Sequence, residues 1–470
     1  MNVLLNKRII VKNKLALSLV LLSLIGLQVV VIKLTPKYAS LLLIFSALIL
    51  ISIVAYLEII KNFYAFLLII NFIPLLLLNN NIHYDLKLEL FSLIPLFVLT
   101  LLAIGNYILH EDKLSFQMDY LRLPVLLVVV YFGVNAFIAV SGGRNLYWIL
   151  VEYFHFLLYL AIIPISYLFR ERRIYTIVLG SLLIISVLIS IEYISYNLFI
   201  IGGRFVTFQS GFLPLTIGVV FAYILFNKRK LNRLGAGLVL GVLIAGTFIT
   251  LTRTLWATTL VVLVITFLAY LKINNRLNWL KTSVLIITLL ATSLFLKGST
   301  QHLQNTSAAK QSIGYRTKSI STPFEDPSFL MRVEFSYYAL ERFLTHPIFG
   351  DGLGDYLKYK IVIQSNLRNY YLDNSWFYFL WKGGGVGFLL ILWLYFRFLK
   401  SAYLLSKHST DTTVKYISLG LFAGFIGLIC LAFLSPLLIK YKTNVLIAFL
   451  FAFVEFERMK LTVLKKNNEI

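Results

Sequence analysis

The chain of 470 residues is 59% hydrophobic and 13% charged, with a mean hydropathy of +0.85, whereas soluble domains average roughly 45–50% apolar and about 25% charged. That composition excludes a soluble enzyme, a disordered chain and a disulfide scaffold, and the single cysteine, Cys430, excludes an intramolecular disulfide or a cysteine-based metal site. The net charge of +23 would point to nucleic acid in a soluble protein, but in a membrane protein it points first to cations gathered on cytoplasmic loops, so no nucleic-acid partner is expected.

The expected fold is all-α, a polytopic transmembrane helix bundle of 12–14 spans with one long, partly helical outer loop. A span needs about 20 mostly apolar residues. Runs that meet this lie near 15–33, 38–57, 62–79, 88–109, 122–140, 146–169, 174–200, 205–226, 234–252, 254–271, 282–297, 376–398, 416–435 and 443–458. The basic segment Lys7, Arg8, Lys12 and Lys14 precedes the first run with no cleavage site after it, which predicts an uncleaved span with its start in the cytoplasm. Even-numbered connections then carry Arg170, Arg172 and Arg173, then Lys228, Arg229, Lys230 and Arg233, then Lys272, Arg276 and Lys281. The short odd-numbered connections hold few cations, so both termini are expected to be cytoplasmic in a multi-pass protein of the cell membrane.

The connection from 298 to 375 is almost 80 residues long and polar, and it divides the chain into 1–297, 298–375 and 376–470, the last ending in a basic cytoplasmic tail. Within it, Asp326-Pro327 reads as an N-cap followed by proline at the first helical position. Phe329, Val333, Tyr337, Leu340 and Leu344 recur at helical spacing, and His346-Pro347 ends the run. An amphipathic helix over the bundle or in the membrane interface is expected.

Several residues in this frame could carry chemistry. Arg253 sits between two apolar runs with hardly a turn between them. It reads either as a snorkelling arginine or as an anion ligand at the outer leaflet, where its planar fork suits phosphate. Arg204, before the polar stretch Phe205-Val206-Thr207-Phe208-Gln209, is open to the same two readings. Gly350-Asp351-Gly352-Leu353-Gly354 follows a helix rather than a strand, so it is no dinucleotide fingerprint. Its glycines predict a tight turn whose backbone amides approach something closely. Asp373 is either the N-cap of the next span or a boundary carboxylate able to act as a general base. Gly383-Gly384-Gly385-Val386-Gly387 predicts close helix packing. Glu152 and His155 share a helix face, as a satisfied interhelical polar pair or as catalytic groups. His346 is a further candidate base. No cluster has metal-ligand spacing, and no metal or other cofactor is expected.

These motifs resemble, most closely from about 202 to 390, the bacterial O-antigen ligases and the related Wzy-type polysaccharide polymerases. The resemblance rests on Gly203-Arg204-Phe205-Val206-Thr207-Phe208, on Leu251-Thr252-Arg253-Thr254, which lacks the usual serine, and on a long outer loop. That loop holds Arg332 and Pro347-Ile348-Phe349-Gly350-Asp351-Gly352-Leu353-Gly354. Ligases then show His-Asn, nine residues and Gly-x-x-Gly; this chain has Asp373-Asn374, nine residues and Gly384-Gly385-Val386-Gly387. The resemblance implies a metal-independent glycosyltransferase with a polyprenyl-diphosphate-linked oligosaccharide as donor, in the bilayer, with a chain-length regulator and a flippase as further partners. Arg204 and Arg253 would hold the diphosphate and Asp373 would replace the ligase histidine as base. Arg332, Asn374, Gly352, His346 and Glu334 would bind substrate. The carboxylate in place of histidine favours a polymerase. Ligase-like transfer to a lipid or cell-wall acceptor remains an alternative, and a lipid-linked oligosaccharide flippase a further one.

Overall fold

A computed structural model describes residues 120–168, 172–199, 211–250, 252–274, 327–358, 368–369 and 372–468. The expected spans near 15–33, 38–57, 62–79, 88–109 and 282–297 lie outside the described residues, and those described all belong to the unit Asp112–Ile470. The protein is an all-α polytopic membrane protein. Among the described residues, five helices are long and apolar enough to cross a bilayer: Arg122–Ser141, Lys230–Ile249, Thr254–Asn274, Ser375–His408 and Thr412–Leu431. The strands among the described residues are two residues long, β1 (Leu357–Lys358) and β2 (Arg368–Asn369), paired antiparallel.

Helix α1 (Arg122–Ser141) ends at Gly142-Gly143, where Gly143 takes the left-handed conformation at φ 74°. Asn145 then caps α2 (Leu146–Leu157) by accepting from the Tyr147 N–H. A 3-10 turn at Leu158–Ala161 carries α2 into α3 (Ile162–Leu168), so the run expected at 146–169 is one rod in three segments. Next come α4 (Arg172–Phe199), α5 (Phe212–Phe226), α6 (Lys230–Ile249) and α7 (Arg253–Asn274). The sharp α6–α7 corner is closed by threonines. The Thr250 hydroxyl donates to the Thr247 carbonyl, and the Thr252 carbonyl accepts from Leu255 and Trp256.

In the polar loop, α8 (Pro327–Thr345) has proline at its first position and stops before His346-Pro347, as the sequence predicts. Its repeating apolar residues do not face the protein: Val333, Tyr337, Leu340 and Leu344 are exposed, and Ala339 on the opposite side is buried. Helix α9 (Ser375–His408) runs ten residues past the expected end. Asp411 caps α10 (Thr412–Leu431), and α11 (Tyr441–Asn468) closes the chain.

Glycine sets the tightest packing. A Cβ on Gly218 of α5 would stand 2.6 Å from the Gly420 carbonyl oxygen of α10, and one on Gly424 would stand 2.6 Å from the Leu215 Cα. These helices therefore meet backbone to backbone, the arrangement that small residues spaced four apart permit when lipid offers no hydrophobic drive to associate.

Candidate active site

Helix α9 is not continuous. Gly384 adopts φ 59° and ψ −166°, a conformation outside the helical region and essentially confined to glycine. A break inside a span frees backbone polar groups that lipid cannot satisfy. The segment after α8 satisfies them. The N–H groups of Asp351 and Gly352 donate to the carbonyls of Trp381 and Lys382 at 2.8 and 3.1 Å. In return, Gly385 and Val386 donate to the carbonyls of Pro347 and Ile348 at 2.8 and 3.2 Å. The remaining freed carbonyl, that of Gly383, accepts from the Tyr131 hydroxyl of α1. A Cβ on Gly350 would stand 2.6 Å from the Trp381 carbonyl oxygen, so the loop and the broken helix meet as bare backbone.

The glycine loop is anchored on its other side too. Asn135 of α1 donates to the Phe349 and Lys382 carbonyls and accepts from the Leu353 N–H. Arg144 donates to the Leu353 carbonyl, and the Gly354 N–H donates to Glu152 at 2.6 Å. The expected close approach of backbone amides is thus present, with protein groups as its target. Positive φ at Gly350, Gly352 and Gly354 makes it possible.

Beneath the loop lies an ion pair without solvent access. Lys382 Nζ is 2.8 Å from the Glu152 carboxylate, and both side chains are fully buried. The lysine also donates to the Asp355 carbonyl and stands 4.1 Å from the Trp381 ring centre. Glu152 is therefore paired across helices, with Lys382 and Gly354 as its partners. A second polar cluster lies at the loop itself. Asp351 is nearly buried and accepts from Trp381 Nε1; it stands 2.6 Å from His346 Nδ1 and 3.7 Å from Arg342. Burial raises the Asp351 pKa above its ordinary value, as does the neighbouring Asp355 charge, while His346 and Arg342 oppose the shift.

Helix α8 runs in the same direction as the first half of α9. Near their starts, Arg332 Nε stands 3.6 Å from Asp373 Oδ2, and near their ends Pro347 and Ile348 bind the break. Asp373 is not the cap of α9. Asn374 is, accepting from the Trp376 and Phe377 N–H groups, because its extended backbone sets the carboxamide over the first turn. Asp373 is left half-exposed beside Arg332, and Asn374 is occupied by capping.

The other candidates are dispersed. His346 faces Asp351, and Gly352 belongs to the loop–helix seam. Glu334, two residues from Arg332, projects from another side of α8. Arg253 is the first residue of α7, although its side chain is not among those described, and Arg204 lies outside the described residues. The sequence reading missed Lys382, Asn135 and Arg342. Lys382 had a signal: an ionisable residue within an apolar run, opposite in sign to Glu152 in another. Asn135 and Arg342 had none, because their partners are backbone and side-chain groups brought close only by the fold.

None of the curated proteins matches the chain. Residues 238–392 match the O-antigen ligase family model, Wzy_C, an interval that takes in the latter part of α6, then α7, α8, the glycine loop and the break in α9. That match supports the resemblance to the O-antigen ligase and Wzy-type family of membrane proteins, through the domain at residues 238–392.

Proposed function

We propose that the protein is a polysaccharide polymerase. In this reading it moves a growing glycan from a polyprenyl diphosphate to a hydroxyl of an incoming lipid-linked repeat unit, at the outer face of the cytoplasmic membrane. The observation that carries this is the Arg332–Asp373 pair: a half-exposed carboxylate, relieved of capping by Asn374, beside a cation at the membrane boundary.

In the reaction, the bond between the donor sugar's anomeric carbon and the diphosphate oxygen breaks, and the diphosphate leaves with the electron pair. The acceptor oxygen bonds to that carbon and its proton passes to Asp373. Arg332 holds the carboxylate in place. Arg204 and Arg253 stabilise the charge developing on the diphosphate, since preorganised charge in a water-poor site is usually the largest source of rate. Arginine suits this because its fork makes paired, charge-assisted contacts with phosphate.

The cation distribution supports cytoplasmic termini and an outer location for 298–375. The exposed apolar stripe of α8 supports its lying in the outer interface, where the isoprenoid tail of the donor also lies. The division into helices before 298, an outer loop and helices after 375 belongs to the same reading. The glycine loop then joins outer segment to span through the broken α9.

A second reading is favoured by the family match itself: ligase-like transfer of a finished glycan to a different acceptor. Lipid-linked glycans from cells lacking the protein separate the two. A missing polymerase leaves single repeat units on the lipid. Long untransferred polymer would instead establish the ligase, and single units trapped on the cytoplasmic face would establish a flippase.

A further inference from the structure

A cavity of about 550 Å3 lies among α4, α5, α6, α10 and α11. It is far from Asp373. Its polar end is formed by Asn232 near the start of α6 and by Thr413 and Tyr416 near the start of α10. Helix α10 begins where α9 ends, at the end of the bundle opposite Asp373. The rest of its wall is hydrocarbon, including Leu183, Val220, Leu421 and Leu450. Tyr223, near the end of α5, adds a further hydroxyl to the lining, and Thr216, nearer the start of α5, is bonded to Ser186 and to the Phe212 carbonyl.

Two lining glycines are unlike those of the α5–α10 seam. A Cβ on Gly180 or Gly235 would meet nothing within 4 Å, and neither residue has a positive φ. Glycine weakens a helix relative to alanine, and here neither backbone geometry nor helix contact requires it. What glycine does supply is room in the cavity. At the polar end, the segment bearing Asn232 also holds Lys228, Arg229, Lys230 and Arg233. Arg233 donates to the Lys228 carbonyl, and its buried Nε has no hydrogen-bond partner among the described residues.

We propose that this cavity is a lipid site that takes one hydrocarbon chain of an anionic phospholipid, with the phosphate against Arg229, Lys230 and Arg233. Size and lining suit a chain, and charge complementarity selects the headgroup, since basic pockets between spans on the cytoplasmic side bind anionic lipids. The positive-inside distribution assigns that end to the inner leaflet. The site is therefore separate from the glycan chemistry and does not depend on it.

Full-length protein in nanodiscs of equimolar phosphatidylcholine and phosphatidylglycerol, released for native mass spectrometry, tests this. The wild type is expected to retain one phosphatidylglycerol in preference to phosphatidylcholine. Gly180→Phe or Gly235→Phe, filling the cavity, is expected to weaken retention about tenfold, equivalent to about 1.4 kcal/mol. The triple variant Arg229→Gln, Lys230→Gln, Arg233→Gln, which leaves the core untouched, is expected to retain a lipid but lose the headgroup preference. The proposal is overturned if the wild type retains the two lipids in their bulk ratio. It is equally overturned if a folded phenylalanine variant retains as much as wild type, if the glutamine variant keeps the preference, or if added polyprenyl phosphate displaces phosphatidylglycerol and takes the site.

Discussion

On the proposed reading, Asp373 and Asn374 divide two duties that adjacent residues could have shared. Since Asn374 holds the first turn of α9, Asp373→Asn removes a proton acceptor without removing a cap. Near-complete loss of polymer is expected, with protein abundance unchanged and any stability change within about 0.5 kcal/mol, as for exposed positions. Asp373→His, which restores the ligase-like residue, is expected to retain partial activity. Polymer laddering and membrane abundance measured together check both, and normal laddering in the asparagine variant would reduce Asp373 to a partner of Arg332.

Asp351 gives a pH prediction with a definite sign. Its folded pKa is raised, chiefly by burial, so folding favours its protonated form. That contribution is complete below the ordinary aspartate value of about 3.9 and is lost as pH rises through the raised value. Asp351→Asn cannot titrate. The melting temperature of the parent relative to this variant is therefore expected to be highest near pH 4 and to decline above it. A difference independent of pH would show that folding leaves the Asp351 pKa unchanged.

Among the elements, the broken helix α9 was the least legible from sequence. Gly383 to Gly387 read as a packing surface, and part of it is one: Gly383 and Gly387 lie against Phe132 and Tyr131 of α1. The break at Gly384 was not readable, because it depends on the Pro347–Gly352 segment replacing lost helical hydrogen bonds, a pairing with no local signature. The boundaries of α1 and α8 were readable, since Gly142-Gly143, Pro327 and Pro347 act on their own neighbours. The distant partners of Asn135 were not, and the pairing of Glu152 with Lys382 was visible only in outline.

Gly384→Ala is expected to cost about 1–3 kcal/mol from backbone strain alone, and more because its Cβ would meet the Ile348 backbone. Lys382→Met, leaving Glu152 buried and unpaired, is expected to cost about 3–5 kcal/mol. Adding Glu152→Gln removes the stranded charge but keeps a carbonyl for the Gly354 N–H, so the double variant is expected to recover most of the loss. Thermal unfolding of the purified variants distinguishes these outcomes, and a double variant no better than Lys382→Met would place the cost in the Asp355 contact instead.

At the scale of the molecule, the cation pattern predicts which side of the membrane each loop meets. A cytoplasm-dependent reporter fused after Ser307 is expected to give no signal, and one fused after Lys230 a strong one. A bright Ser307 fusion would invert the map and with it the location of the glycan chemistry.

The glycine seam between α5 and α10 also bears on how the protein is made. Gly218 leaves the ribosome long before Gly420 and Gly424, and the whole polar loop is synthesised between them. The partly built chain must hold a bare backbone groove in lipid until its counterpart arrives. Once there, the two halves are joined by that seam, by the Glu152–Lys382 pair and by Asn135 across the glycine loop. Covalent continuity between them should therefore be dispensable. Two polypeptides, 1–310 and 311–470, produced together are expected to purify as one complex and to restore polymer. Assembly that fails even when both fragments insert would mean that the seam forms only during synthesis of a single chain.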